Sequence, residues 1–432
     1  MSATIDPGAA SGPDDRFAEL DRLRVSSPLY DAVIDEVKGR RIRIGDHWLA
    51  DFASCNYLGF DLDPEIIDSV ADALRMWGTH PSWSRLLGNP RPYADIEERL
   101  TALLGAPDTL VLPTITHIHL SVIPVLAEGG WIALDDRAHK TVYDGCSVAR
   151  GRGGTVCRFP TGDLDALAAL LRRAPAGGAN AGTSKAGTSK AGTSKLICMD
   201  GVNSMTGNAP DLAAFAALAR EHDALLYVDD AHGFGVLGER AADEPCPYGV
   251  RGNSIVRHVG ETYDNIILVG GFSKAYSSLL AFLALPTALK NRLKVAAAPY
   301  LYSGPSPVAS LATVLAGFDV NNARGDTIRS DLYRKSARVL AHVRRLGLAT
   351  PNTSGLPIIE IPLDDADAVD AVGRFLYDAG IYVTLAAYPL VPRSEVGFRI
   401  QVTAANGDDE IDELCQTLSA LVARFPVRTR AG

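Results

Sequence analysis

No apolar run in this sequence approaches the roughly 20 residues that cross a bilayer, so no membrane span is expected. The amino terminus, Met1-Ser-Ala-Thr-Ile-Asp, lacks the charged-then-apolar order of a secretory leader. Cysteine is sparse: Cys55, Cys146, Cys157, Cys198, Cys246 and Cys415 show no paired spacing, which argues against both a disulfide framework and a zinc site. Positive charge is in deficit, since 42 Lys and Arg against 51 Asp and Glu leave a net charge of −9, no footprint for nucleic acid. Together these absences predict a reduced, cytoplasmic protein that holds no metal and meets neither membrane nor nucleic acid. With 432 residues the chain is long enough for more than one lobe.

What the chain does carry is apolar runs that stop at polar residues. Tyr227-Val-Asp-Asp-Ala-His-Gly-Phe-Gly-Val-Leu-Gly238 and Leu268-Val-Gly-Gly-Phe-Ser-Lys-Ala-Tyr276 each reach a polar residue and then turn at glycines. Buried parallel strands end this way when they deliver side chains to a site at their carboxyl edge. The first run delivers Asp229 and His232, the second Lys274. An acid, an imidazole and a lysine at strand ends suit pyridoxal phosphate (PLP) chemistry. The lysine holds the cofactor's aldehyde carbon, the anion keeps the pyridine nitrogen protonated, and a donor orients the ring oxygen. Singly, a buried Asp or a Lys after a strand is more often an ion pair or a solvated loop residue. Two motifs in order and in strand context favour the cofactor.

Strand and helix signals alternate through the middle of the chain with short loops, which implies an α/β fold with a mostly parallel, doubly wound sheet and a smaller α+β domain. Helices are expected from Asp15 to about Val25 and over 64–77, 93–104 and 211–222, with a small hairpin at 41–54. Thr109-Leu-Val-Leu-Pro-Thr-Ile-Thr-His-Ile-His119 reads as a strand entering a helix, where free N–H groups suit a phosphate; Thr114, Ile115 and Thr116 are the candidate ligands. His117 and His119 read as pocket walls or helix-surface residues, with a structural role favoured. Ala-Gly-Thr-Ser-Lys repeats three times over 181–195, an enlarged surface loop. Residues 246–264 read as an inserted loop near the site entrance. Helices over 307–320 and 327–346, strands at 358–361 and 382–385 and a helix over 408–425 complete the chain. The expected domains are 1–62, an arm and part of the small lobe, 63–306, the large cofactor-binding domain, and 307–432, the small domain.

The motifs resemble those of the α-oxoamine synthases, a family of fold-type I PLP-dependent transferases. Asp229-Asp-Ala-His-Gly-Phe-Gly-Val-Leu-Gly238 matches its D-D/E-A-H-G-x-G-V-L-G block, and Gly270-Gly-Phe-Ser-Lys274 matches G-T-x-S-K with one change. Trp131-Ile-Ala-Leu-Asp-Asp-Arg-Ala-His-Lys140 is similar to the D-x-x-x-H block, which gives His139 the place of the imidazole stacked on the PLP ring. Asp200-Gly-Val-Asn-Ser-Met-Thr-Gly resembles E-G-V-x-S-M-x-G, so Ser204 would face the cofactor. Cys55-Asn-Tyr-Leu-Gly-Phe60 resembles the substrate-contacting N-Y-L-G signature and leans towards the serine palmitoyltransferase branch; it contributes Asn56. Ser84, followed by Arg85, lies in a segment similar to the one lining the acyl and amino-acid pocket. Gly397-Phe-Arg-Ile-Gln-Val-Thr-Ala-Ala405 resembles R-x-R-I/L-x-x-T-A, giving Arg399 the amino-acid carboxylate and placing Thr403 on the same strand face. The chain departs from the family where phosphate is held: Thr114-Ile-Thr116 replaces S-G-F/Y, and Gly271 and Gly304 replace threonines.

The resemblance covers about residues 40–425. It implies a homodimer with shared sites, and a decarboxylative condensation of a small amino acid with an acyl thioester of coenzyme A or a carrier protein. Lys274 would carry the cofactor and move the α-proton, Asp229 would face the ring nitrogen, and His232 would orient the ring. His139 would stack on the ring and either polarise the thioester carbonyl or hold the carboxylate out of the ring plane. Two rivals stand beside this reading: an aminotransferase or aldolase on the same fold, and a non-catalytic homologue suggested by the altered phosphate ligands.

Overall fold

The computed structural model describes residues 15–175 and 194–429. The chain divides into two units, Cys55–Arg334 and a second made of the residues up to Ser54 and from Lys335 onward. The larger unit is built on a seven-stranded sheet. In chain order its strands are β1 (Asp108–Leu112), β2 (Trp131–Asp135), β3 (Thr155–Phe159), β4 (Lys195–Asp200), β5 (Leu225–Asp229), β6 (Ile266–Gly271) and β7 (Ala281–Leu285). Across the sheet they run β1-β7-β6-β5-β4-β2-β3; β7 is antiparallel to both its neighbours and every other pair is parallel.

Apolar residues follow one another without alternation in β4, β5 and β6. Ile197, Met199, Leu226, Val228, Ile267 and Val269 are all buried, as strands covered on both faces require. Register brings the carboxyl ends level: Asp200 of β4 stands opposite Asp229 of β5, and Asp229 opposite Val269 of β6. Helix Ile115–Ala127 follows β1 and is capped by Thr114, whose side chain accepts from the backbone N–H of His117. Helix Lys140–Gly151 follows β2 and is capped by His139, which accepts from Thr141. Caps of this kind contribute about 1 kcal/mol each. Here they also set polar side chains just past the ends of two strands.

The long helix Val308–Arg345 runs unbroken for 38 residues, where the sequence suggested two helices over 307–320 and 327–346. Its glycines serve packing. A Cβ on Gly317 would come within 2.8 Å of the Tyr276 ring, and one on Gly325 within 2.4 Å of the Asn321 side chain. Buried Arg329 donates to the Gly235 carbonyl at 3.2 Å and to Asn321 Oδ1 at 2.7 Å, and Arg324 donates to Asp63 at 2.6 Å. These bonds tie most of the helix to the larger unit, so the division falls after Arg334 and not at 306. At the other boundary Tyr57, hydrogen-bonded to His232, brings 55–62 into the larger unit instead of the arm.

Residues 246–264 are packed, not an open loop at an entrance. Tyr248, Asn253 and Ser254 are buried, Asn253 donates to the Leu103 carbonyl, and the Ile255 N–H bonds Asp230. Of the Ala-Gly-Thr-Ser-Lys repeats only Ser194 and Lys195 are described; the rest lies outside the described residues. Those two belong to the sheet. The Ser194 carbonyl accepts from Trp131 N–H at 2.7 Å, its hydroxyl donates to Leu126, and Lys195 opens β4.

The smaller unit holds two sheets. One has Glu36–Lys38, Arg41–Ile44 and His47–Asp51 antiparallel in sequence, with Ile381–Tyr382 parallel to the last. The other is antiparallel, with Gly397–Gln401 between Ile358–Pro362 and Thr384–Ala386. Helix Asp408–Arg424 closes the chain. Among the described residues no helix is long and apolar enough to cross a membrane, and the six cysteines are unpaired.

Candidate active site

The level ends of β4, β5 and β6 and the caps after β1 and β2 converge on a cavity of about 320 Å³. Thr114, Ile115 and Thr116 line it from one helix start and His139 from another. Asp200, Ser204, Asp229, His232 and Lys274 line it from the strand ends. Residues separated by up to 160 positions are thus assembled because five connections meet at one sheet edge, the usual ligand site of an open α/β sheet.

Each side chain is held differently. Asp229, 5% exposed, accepts from Ala231 N–H at 3.1 Å and bonds His119 Nε2 at 2.9 Å. Burial works against its charge. His119, by charge and hydrogen bond, with Lys274 and His139 beyond, outweighs it and pulls the carboxyl down to about 2. Asp200 accepts the His139 backbone N–H at 2.9 Å. Burial, reinforced by the Asp229 charge, pushes the Asp200 carboxyl well up. Two adjacent carboxyls therefore differ in ionisation because one has an imidazole against it and the other does not.

His139 is exposed to the cavity, its Nδ1 2.8 Å from the Thr141 hydroxyl. His232 is fixed through Nδ1, 2.7 Å from the buried Tyr57 hydroxyl. Lys274 is half-buried, and its ammonium takes up no hydrogen bond or ion pair among the described residues. Its loop is anchored two residues on by Tyr276, buried against Phe234 with ring centroids 5.2 Å apart. Ser204 sits in the turn that Asn203 Oδ1 closes by accepting from Met205 and Thr206.

These residues fit PLP. A lysine with an uncommitted ammonium, a carboxylate held charged, an accessible imidazole and a helix start carrying two threonines are the donor set the cofactor requires. Two of the departures from the family pattern, at 115 and 271, meet in space. A Cβ on Gly271 would lie 2.5 Å from the Ile115 side chain, so Ile115, in place of the family's glycine, fills the space a threonine at 271 would use. Gly304 has φ 69°, a left-handed backbone that threonine adopts only under strain.

The remaining sequence candidates are not among the residues lining this cavity. Asn56 is half-buried in a turn closed by the Gly59 N–H, and Ser84 donates to the Leu301 carbonyl at 2.8 Å; neither lines the cavity. Arg85 is buried against Glu97 at 3.0 Å and stacked on Tyr93. Arg399 and Thr403 belong to the smaller unit. Arg399 stands between Glu360 and Thr384 in its sheet. Thr403 lies past the end of that strand, its hydroxyl accepting from Arg40 and bonded to Asn406. Missed from the sequence were Asp200, Tyr57 and His119. For His119 a signal existed: it shares a helix face with Ile115, Val122 and Leu126 at spacings of 4, 3 and 4, whereas His117 is exposed.

A model of the family described as aminotransferase class I and II matches residues 49–418. The 8-amino-7-oxononanoate synthase of Chromohalobacter salexigens is 33% identical over 371 residues, 85% of this chain and 88% of that one. The serine palmitoyltransferase of Sphingobacterium spiritivorum is 29% identical over 369 residues, 85% of each chain. Among solved structures, a serine palmitoyltransferase of Sphingomonas wittichii superposes with a TM-score of 0.83 at 24% identity, covering 96% of this chain and 100% of that one.

If Ile115 and Gly271 are a complementary pair, Gly271→Thr should lower the thermal midpoint of the purified protein by less in an Ile115→Gly background than in the wild type. Equal drops in the two backgrounds would refute the coupling. The carboxyl pair gives a pH signature in the cofactor-free protein. Asp200 binds its proton more tightly folded than unfolded, so its contribution to stability falls as pH rises from about 3.9 through its raised folded value, by at most about 1.4 kcal/mol per pH unit. Asp229 is the opposite case: its contribution is present above about 3.9 and is lost as pH falls towards its folded value. Asp200→Asn should remove Asp200's share of that loss, leaving the shares of Asp230 and Asp135, while keeping the acceptor for the His139 N–H. Denaturant midpoints across pH that coincide for variant and wild type would show that Asp200 is not carrying that proton.

Proposed function

The chain belongs to the aminotransferase class I and II family and is a PLP-dependent α-oxoamine synthase within it, and from that premise we propose that it condenses a small amino acid with an acyl thioester of coenzyme A or a carrier protein, releasing carbon dioxide and free thiol and leaving an α-aminoketone. The observation that carries the reading is Lys274, its ammonium uncommitted, on one cavity with a carboxylate held charged. The names of the relatives, two kinds of acyl-transferring synthase, point the same way.

When bound, PLP supplies an electron sink for the pair left at the amino acid's α-carbon. The protein's residues do the rest. Asp229 holds the proton on the ring nitrogen by its fixed negative charge, which must stay ionised for the sink to work. Lys274 would carry the cofactor and, once freed from it, would move the α-proton at Nζ. His139, presented by the helix cap and by Asp200, would cover the ring and reach the incoming carbonyl. Tyr57 holds the imidazole of His232, the donor to the ring oxygen. Thr114, Thr116 and the helix-start N–H groups would receive the phosphate, and Ser204, in the turn after β4, would face the cofactor. Arg399 grips the amino acid's carboxylate as a planar fork.

We infer further that the active form is a homodimer with sites at the interface. Trp83, Leu86, Leu87, Leu279 and Tyr302 are large apolar side chains left exposed on the larger unit, and Leu279 also lines the cavity, as a surface covered by a second copy would be arranged. Sedimentation of the cofactor-loaded protein as a monomer at micromolar concentration would refute this.

One kinetic series tests the reaction. Wild type given an amino acid and an acyl thioester should release free thiol, which neither transamination nor aldol cleavage does. Lys274→Ala should fold and lose both thiol release and the bound cofactor's visible absorbance. Arg399→Lys should raise the amino acid's KM by the equivalent of about 1–3 kcal/mol and leave the thioester's KM nearly unchanged. Thiol release by Lys274→Ala at the wild-type rate would end the proposal. An unmoved amino-acid KM would take Arg399 out of the site.

A further inference from the structure

Asp229 is buried at the end of β5, and the residue that satisfies it comes from a different element. His119, fully buried on helix Ile115–Ala127, uses both ring nitrogens: Nε2 is 2.9 Å from Asp229 Oδ2 and Nδ1 is 2.9 Å from the Tyr227 hydroxyl. Tyr227 and Asp229 are two apart on β5, so they project from the same strand face, and His119 bridges them. The backbone is fixed where the bridge is made. A Cβ on Gly145 would lie 2.4 Å from the His119 carbonyl oxygen, so helix Lys140–Gly151 closes against His119 to a distance only glycine allows. The rings of His119 and Tyr227 pack edge to face with centroids 5.7 Å apart.

We propose that His119, braced by Tyr227, is a positioning residue that orients Asp229 and keeps it an anion beneath the cofactor's ring nitrogen. This rests on the PLP reading of the cavity but not on which substrates are used. A buried carboxylate without a donor takes up a proton or opens its surroundings to water. With its Nε2–H on Oδ2 and the Ala231 N–H on Oδ1, Asp229 has a partner for each oxygen. Burial pushes the Tyr227 phenol well up, so its hydroxyl stays protonated. A hydroxyl can donate to a neutral Nδ1 or accept from a protonated one, which lets the brace hold in either charge state of His119 while Nε2 keeps donating. The charged and titratable groups around Asp229 are His119 from the helix, Asp200 from β4, Lys274 from the loop after β6, His139 from the cap after β2, Tyr227 on its own strand and buried Asp230 next to it. Among these side chains His119 bonds the carboxylate directly, at 2.9 Å.

The test compares His119→Leu, His119→Gln and Tyr227→Phe, stripped of cofactor and titrated with PLP by visible absorbance. Glutamine can carry an amide N–H to about the place of Nε2, whereas leucine fills the space without a donor. His119→Leu should weaken PLP binding by about tenfold or more, the loss of one charge-assisted hydrogen bond, and His119→Gln should recover most of it. Loss of activity in His119→Leu should also begin at higher pH on the acid side, because Asp229 then takes up its proton sooner. Tyr227→Phe, a small change that leaves the core filled, should weaken PLP binding by about threefold and show the same acid-side shift in smaller measure. Binding by His119→Leu within twofold of wild type would overturn the proposal. So would equal failure of the leucine and glutamine variants with no change in pH profile, which is the mark of a merely structural histidine; if both fail to fold, Tyr227→Phe with unaltered binding and profile overturns it. Wild-type protein that takes up no PLP would instead bring down the cofactor reading itself.

Discussion

The ionisation of one buried carboxylate governs this site. β5 carries Asp229 to a sheet edge where it is 5% exposed, and an isolated carboxylate there would be neutral. His119 from a neighbouring helix reverses that, while Asp200, its partner across the strand register, lies under the same burial and goes the other way. Two like residues on adjacent strands are thereby differentiated by a single imidazole. The helix that brings His119 to Asp229 also begins with Thr114 and Thr116, so one element both lines the cavity and holds the carboxylate at its edge.

Much of this was legible in the sequence because it is local. Apolar runs that stop at Asp229 and before Lys274 mark strand ends, and a strand end fixes where a side chain emerges. Lys274, Asp229, His232, His139 and Ser204 accordingly meet on one cavity. Relations between distant stretches were not legible. His119 and Asp229 are separated by 110 positions, and nothing in either stretch names the other. The asparagines and glycine near 321–325 suggest a helix break, yet the glycine is there because Asn321 and Arg329 crowd it from within an unbroken helix. Thr403 follows Arg399 at even spacing, but the strand ends at Gln401, and alternation says nothing beyond a strand's end.

The same distinction applies to residues 115 and 271. Read singly, Ile115 and Gly271 each look like the loss of a ligand. In space they are one arrangement, a side chain added on a helix and one removed from a strand end, with the helix start and its threonines still facing the cavity.

That arrangement also constrains the routes by which such a chain can change. From glycine at 115 and threonine at 271, shrinking residue 271 first leaves a gap the fold can tolerate, whereas enlarging residue 115 first drives an isoleucine into a side chain already in place. The two orders therefore differ in what must move: the isoleucine's terminal methyl in one, nothing in the other. Gene shuffling between the two types meets the same asymmetry when the crossover falls between these positions: a chimera that joins Ile115 to threonine at 271 inherits the collision, and its reciprocal inherits only a void.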